Sequence, residues 1–377
     1  MRIQALDKAR GVVLIIMAID HAKEMIGKNI IFSGEFWNRN FPFYEDSFLF
    51  FTRLIAHICA PSFAFMMGLS MILLTHANNV KWQDEVKLWK YFCLRGFILI
   101  LFEYLIFAPL WSFAFKDPSI IFRFAVISML GSLMILISFL VKRHWSIQVI
   151  VMLLSIFIPP FIISLGELDA KNINFLLNIL FVPDGQYFIY SVFPYFGIGI
   201  LGLLFGKILI KKEKMAFTLL PILGAVFIAL FIFSRLWGDL YFNLKNPVSL
   251  NDSNWWSFFY MIKYPPSLTY LLFTLGIFFL LFSIIYFIDK IGSNKIIIVS
   301  KFLEVANVYG KSTFFFYAAH LFILCLLGVL ILDILKWSSI TDVAYGWIIA
   351  LIIIYPLCKW YRDFKKKKNE NSLWRML

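Results

Sequence analysis

Residues 10–21 read Arg10-Gly-Val-Val-Leu-Ile-Ile-Met-Ala-Ile-Asp20-His21. An arginine fronts an apolar run and an acid–imidazole pair closes it. Such residues are expensive in lipid, at least about 2.5–3.5 kcal/mol each on insertion scales. Their presence in the first apolar segment points to function. The segment holds Lys23 and Glu24 toward its end and no small-residue cleavage pattern, so it is expected to be a retained membrane helix rather than a signal peptide. Arg10 and His21 are eleven residues apart, three helical turns plus about 20°, and so share one face. Met17 and Glu24 extend that stripe. Asp7 lies one turn before Arg10 and is placed to pair with it. Asp20 points about 100° away from His21, toward another helix.

The rest of the chain fits this reading. Of 377 residues, 61% are hydrophobic, 19% aromatic and only 15% charged. Soluble domains are roughly 45–50% apolar and 25% charged. The excess implies a solvent that is partly lipid. The net charge of +13 comes from short basic clusters between apolar runs, the largest being Lys365–Lys368. That distribution suits anionic lipid headgroups rather than nucleic acid. Cys59, Cys93, Cys325 and Cys358 are scattered singly in apolar stretches and are expected to act as small buried hydrophobes.

Apolar stretches near the spanning length occur at about 8–27, 48–75, 90–113, 121–141, 145–164, 189–210, 216–235, 266–288, 312–334 and 343–361. They predict an all-α polytopic membrane bundle of about ten helices, with no convincing internal repeat. The domain expected is 1–362, with 363–377 as a basic tail. The even connections carry Lys81/Lys87, Lys142/Arg143, Lys211/Lys212/Lys214 and Lys290/Lys295/Lys301, and both termini are basic. The odd ones carry Glu35, Glu45, Asp46, Glu167, Asp169, Asp184, Asp239 and Asp252. The positive-inside rule then puts both termini in the cytoplasm. Trp111, Trp145, Trp237, Trp255, Trp256, Trp337 and Trp360 near segment ends suit an interfacial aromatic belt.

Further ionisable residues mark the interior. Arg53 and His57 are i,i+4 neighbours on the second segment. Pro61 follows, and frees a carbonyl one turn back. Gly68 and Ser70 allow close packing of helices. The third segment holds Arg95 and Glu103, and the ninth holds His320. Lys263 and Tyr264 precede the eighth, at the expected outer surface. His21, His57 and His320 fall at similar depth, with Asp20 and Glu103 nearby, as a general base or proton relay requires. No i,i+4 histidine pair occurs, so no metal site is expected. A nucleophile elbow and a phosphate loop are absent from the sequence as well. The residues alone leave group transfer and transport both open.

Six stretches in order resemble the bacterial branch of the heparan-α-glucosaminide N-acetyltransferase catalytic-domain family. They are R-I-Q-A-L-D-K-A-R-G from Arg2, D-H at Asp20, H-I-C-A-P-S-F-A-F-M-M-G from His57, R-G-F-I-L-I-L-F-E from Arg95, K-Y-P-P-S-L-T-Y-L-L-F-T-L-G from Lys263 and Y-G-K-S-T-F-F-F-Y-A-A-H-L from Tyr309. The Arg10–His21 spacing is also similar to that of the wider membrane acyltransferase superfamily. The resemblance implies transfer of an acetyl group from cytoplasmic acetyl-CoA to an amine or hydroxyl of an extracytoplasmic sugar or glycan. A histidine would act as base or as transient acetyl carrier. Asp7, Arg10 and Gly11 match the D-x-x-R-G signature, and Pro61 and Gly68 match P-x-F-x-F-x-x-G. Family members with a catalytic histidine in the first extracytoplasmic connection differ, because residues 28–47 here hold none.

The sequence therefore predicts a transmembrane acyltransferase of a bacterial cytoplasmic membrane. His57, with Arg53 beside it, ranks first as base. His21 with Asp20 is second. Arg10, Asp7, Arg53, Glu103, Lys263, Tyr264 and His320 are the expected substrate or CoA contacts. Acetyl-CoA, a sugar acceptor and the bilayer are the expected partners, and a homo-oligomer is left open. A proton-coupled transporter or export factor is the alternative, and a non-catalytic scaffold the third reading.

Overall fold

The computed structural model describes residues 3–27, 34–37, 39, 41–42, 44, 47–77, 82–164, 175–237, 255–291, 297–334, 340–369, 372 and 374. Glu45, Asp46, Lys81, Glu167, Asp169, Asp239, Asp252, Lys295 and Trp337 lie outside the described residues. The helices are α1 (Gln4–Ile26), α2 (Ser47–Ala56), α3 (Cys59–Ala77), α4 (Glu85–Phe102), α5 (Ala108–Phe115), α6 (Val126–Ser138) and α7 (Trp145–Ser164), then α8 (Phe175–Leu180), α9 (Phe193–Lys211), α10 (Glu213–Leu236), α11 (Leu268–Ile291), α12 (Ile297–Gly310), α13 (Thr313–Ile334) and α14 (Ile340–Lys366). Among the described residues there is no strand, only isolated bridges at Phe36–Tyr264 and Phe124–Phe188. The chain is an all-α polytopic membrane bundle.

Each of the ten expected segments contains a helix. Among the described residues seven spans are long and apolar enough to cross a membrane, and α12–α13, bent by 93°, make an eighth if taken together. The remaining two are α6 and α1. At thirteen residues α6 is about 20 Å long, short of the hydrocarbon thickness. α1 is long enough but carries Asp7, Lys8, Arg10, Asp20, His21, Lys23 and Glu24. Its packing explains how those charges are tolerated. α2, α3, α11, α12, α13 and α14 surround α1, so its polar groups meet protein and not lipid. The lipid-type surfaces belong to outer helices, such as Leu94, Phe97, Leu101 and Leu105 on the α4–α5 span and Ile150, Leu153, Leu154 and Phe157 on α7.

Glycines set the tightest helix contacts. A Cβ on Gly68 of α3 would fall inside the shell of the Gly199 carbonyl oxygen on α9, and one on Gly11 of α1 would strike the Ala306 carbonyl on α12. These pairs pack backbone on backbone, as small residues permit in membrane bundles.

Two breaks shape the interior. α2 and α3 form one span interrupted at His57–Ile58. Pro61 cannot donate to the His57 carbonyl one turn back. That carbonyl instead accepts the Tyr270 hydroxyl of α11 at 2.8 Å. The second break is a π-helical segment, Glu103–Phe107, joining α4 to α5. Ion pairs tie the basic residues together at one end of the bundle. Lys8 pairs with Asp289, and Lys290 lies 3.9 Å from Glu213.

Candidate active site

At the basic end a cavity of about 310 Å³ enters the bundle between α1, α3, α4, α6 and α13. Arg10, Arg95, Lys311 and Lys365 line it with Asp7 and Ser70. Arg10 donates to Asp7 Oδ1 at 3.2 Å and to the Ser70 hydroxyl. Ser70 thus serves Arg10 as well as packing. The 93° bend after Gly310 turns the chain so that Lys311 meets the cavity and α13 then runs along it. Further in, the wall is apolar, with Met17, Met66, Met67, Met71, Phe92 and Phe314. α1 contributes Asp7, Arg10, Leu14 and Met17, the stripe expected from the helical count. Tyr317 also lines the cavity, and its ring centroid is 6.3 Å from that of His21, one turn beyond Met17.

His21 stands against His320. The rings are stacked with centroids 5.1 Å apart, and His21 Nδ1 is 2.8 Å from His320 Nε2. The tautomers follow from the partners. His320 Nδ1 is 2.9 Å from the Phe316 carbonyl oxygen, which can only accept, so Nδ1 carries the proton. In a neutral ring His320 Nε2 is then an acceptor, and His21 Nδ1 must donate to it. His21 Nε2 is left with a lone pair that no described residue engages, on a ring that is half-buried rather than sealed. Trp111 closes one side of this pair edge-on, 5.2 Å from His21. Expected in the aromatic belt, it instead packs inside the bundle. Trp145, Trp237, Trp255 and Trp360 are exposed.

Asp20 faces α2, away from His21. Arg53 Nη1 donates to Asp20 Oδ2 at 2.6 Å, and its Nε and Nη2 donate to the two oxygens of Glu35 at 3.1 and 3.0 Å. Lys23 Nζ pairs with Asp20 Oδ1 at 2.9 Å. Burial pushes the Glu35 carboxyl up, but the Arg53 guanidinium and then His57 outweigh it and bring it down to about 2.

His57 belongs to this clamp. It is only 4% exposed, with Nδ1 2.7 Å from the Arg53 carbonyl oxygen and Nε2 3.5 Å from Glu35 Oε1. Both nitrogens face oxygens of the protein, so the ring is turned into the clamp. The three histidines therefore do not form one cluster: His21 and His320 pair, while His57 lies in the ionic clamp.

Glu103 is placed elsewhere again. Its Oε2 accepts from the Ile127 and Ser128 N–H groups at 3.0 and 3.2 Å, capping the start of α6. Lys263 and Tyr264, expected at the outer surface, are both buried. Their N–H groups donate to the Glu35 carbonyl at 3.0 and 3.2 Å, and Tyr264 stacks on Phe36 with centroids 4.6 Å apart. This pairing with the first connection folds the segment inward.

The structure adds Glu35, Lys23, Tyr317 and Tyr270 to the site residues expected from the sequence. Tyr317 lies three residues before His320 in the stretch from Tyr309, a spacing that puts both on one helix face.

The described residues thus form an integral membrane bundle with a cation-lined cavity at one end and a His21–His320 pair beyond its apolar wall. The family model for heparan-α-glucosaminide N-acetyltransferase, catalytic, matches residues 2–238, and the chain belongs to that family of membrane acetyltransferases. A search of curated proteins found no match.

Proposed function

We propose that the protein moves an acetyl group from cytoplasmic acetyl-CoA to an amine or hydroxyl of a sugar or glycan on the far side of a bacterial cytoplasmic membrane. The single observation that carries this reading is the α1 stripe. Asp7, Arg10, Leu14 and Met17 line the cavity, and His21 follows one turn on with an open Nε2. In this reading both termini and the basic end are cytoplasmic, residues 1–362 are the catalytic domain and 363–377 the tail. Arg10, Arg95, Lys311 and Lys365 suit the phosphates of CoA, and the apolar wall beyond them suits its acyl-bearing arm.

His21 Nε2 takes the proton of the acceptor as its nitrogen or oxygen attacks the thioester carbonyl. The new C–N or C–O bond forms, the C–S bond breaks, and the CoA thiolate leaves and is protonated. His320 fixes the ring and its tautomer, and its Nε2 stabilises the imidazolium that forms. His57 holds the Arg53 clamp, so the order of the two candidate bases suggested by sequence is reversed here. The transport alternative would use Glu103 as relay acid, and its Oε2 is engaged by the Ile127 and Ser128 N–H groups, which favours acetyl transfer.

The test is acetyl-CoA binding and turnover by purified wild type, His21→Ala, His57→Ala and His320→Gln. All four should bind acetyl-CoA. Turnover should fall by about 10²–10⁴ in His21→Ala, the usual value of a general base, and by less in His320→Gln with KM little changed. No binding of millimolar acetyl-CoA, or full turnover in His21→Ala, would refute the proposal.

A further inference from the structure

At the basic end several cations are already engaged by the protein. Lys142 Nζ donates to the Gln83 carbonyl at 2.6 Å, and Arg143 lies 3.7 Å from Glu85. Lys207 Nζ donates to Gln148 Oε1 at 2.8 Å and to the Arg143 carbonyl at 3.1 Å. Lys212 and Lys214 differ from these. Among the described residues neither ammonium has a counter-ion or a hydrogen-bond partner. Both stand at a second cavity, of about 510 Å³, lined by Lys212, Glu213, Lys214, Met215, Tyr286 and Lys290. It lies just after α9, where α10 begins and α11 ends, at the boundaries of three apolar spans. That is the depth of lipid headgroups, not of acyl chains.

One wall of this cavity is fixed. Tyr286 is buried and stacks flat on Phe217, with centroids 3.6 Å apart. Its hydroxyl donates to Glu213 Oε1 at 3.2 Å. Lys290 Nζ is 3.9 Å from the same oxygen and 5.4 Å from the centre of the Tyr286 ring. The carboxylate at the cavity is thus shared between Tyr286 and Lys290, and the two remaining ammonium groups are left uncompensated. Beyond the cavity the surface turns apolar. Met215 and Ile222 of α10 and Ile284 and Phe287 of α11 are all exposed, and the two helices pack along each other. Cations that edge apolar surface suit a molecule with an anionic head and hydrocarbon tails, and basic pockets between membrane spans hold such heads.

We propose that this cavity binds the phosphate of an anionic membrane lipid. Lys212 and Lys214 are its ligands, Tyr286 and Lys290 form the fixed wall, and the acyl chains lie along the exposed faces of α10 and α11. The site shares no lining residue with the cavity at Arg10 and does not depend on the acetyl-transfer reading.

The test is native mass spectrometry of the full-length, detergent-solubilised protein at constant ionic strength. The probes are dioleoylphosphatidylglycerol, dioleoylphosphatidylcholine and inorganic phosphate. Wild type should hold the first phosphatidylglycerol more tightly than phosphatidylcholine, and inorganic phosphate at matched concentration should not displace it. A lysine at an anionic lipid surface contributes about fivefold in affinity, so Lys212→Gln/Lys214→Gln should weaken the first phosphatidylglycerol by about thirtyfold. Its size-exclusion profile should stay that of wild type, because both side chains are exposed. Lys212→Arg/Lys214→Arg should retain the affinity. Lys142→Gln/Arg143→Gln removes cations that the protein already engages and should leave it unchanged.

Equal affinity for the two lipids, an undiminished affinity in Lys212→Gln/Lys214→Gln, or an equal loss in Lys142→Gln/Arg143→Gln overturns the inference. Displacement of phosphatidylglycerol by inorganic phosphate overturns it too, since the occupant would then be a free phosphate.

Discussion

Replacing Glu35 by Gln removes the carboxylate that grips Arg53 through two hydrogen bonds while leaving the side chain's shape. Arg53 then keeps only Asp20, which Lys23 already shares. Two unit charges some 3–4 Å apart at an effective dielectric near 20 attract by about 4 kcal/mol. Breaking a buried pair by removing one partner costs about 3–5 kcal/mol. The Gln amide recovers part of this by accepting one Arg53 N–H, so the expected loss is about 3 kcal/mol. In a chain of this size that lowers the melting temperature by about 4 °C.

The pH dependence has a definite sign. The Glu35 carboxyl is held at about 2 in the fold against 4.5 ordinarily. Its stabilisation is therefore complete above about 4.5 and is lost as pH falls through about 2. Melting curves of the detergent-solubilised protein, followed by tryptophan fluorescence, should show the full deficit of Glu35→Gln near neutral pH. The deficit should shrink between those two values, where protonated Glu35 comes to resemble Gln. A melting temperature unaffected near neutral pH, or a deficit constant through the acid range, would refute the clamp as an electrostatic unit.

Two further outcomes test the scaffold. Tyr270→Phe should cost about 1–2 kcal/mol by stranding the His57 carbonyl, and Pro61→Ala, which restores a helical donor, should make the Tyr270 change cost less; additive effects in a double-mutant cycle would argue against this link. Gly68→Val must separate α3 from α9 and should abolish the monodisperse peak in size-exclusion chromatography, whereas an exposed substitution such as Leu105→Val should leave that peak unchanged.

The membrane bundle and the α1 stripe were legible because both rest on local periodicity. A count of residues per turn is enough to align Arg10, Met17 and His21, and the cavity follows that alignment. Family membership was legible for a similar reason, since short motifs recur in fixed order. Contacts that close over long sequence separations were not. Glu35 reaches Arg53 from a connection with no regular period. Lys263 is drawn inward by a backbone bond to that same residue. The preference for His57 over His21 came from i,i+4 proximity to Arg53. Proximity cannot reveal that the Arg53 carbonyl and the Glu35 carboxylate face the two ring nitrogens. Likewise, Pro61 announces a freed carbonyl, yet nothing near it in sequence names Tyr270, more than 200 residues away, as the donor.

The ion pairs on α1 carry a mechanical consequence. Near its first turn Lys8 is fastened to Asp289 of α11, and near its last turn Asp20 is fastened to Arg53 of α2. A slide of even one residue along its axis, about 1.5 Å, would strain both fastenings at once. α1 is thus an axle riveted at two points, and the reach along it from Arg10 at the cation-lined mouth to the His21 imidazole is fixed by the helix itself.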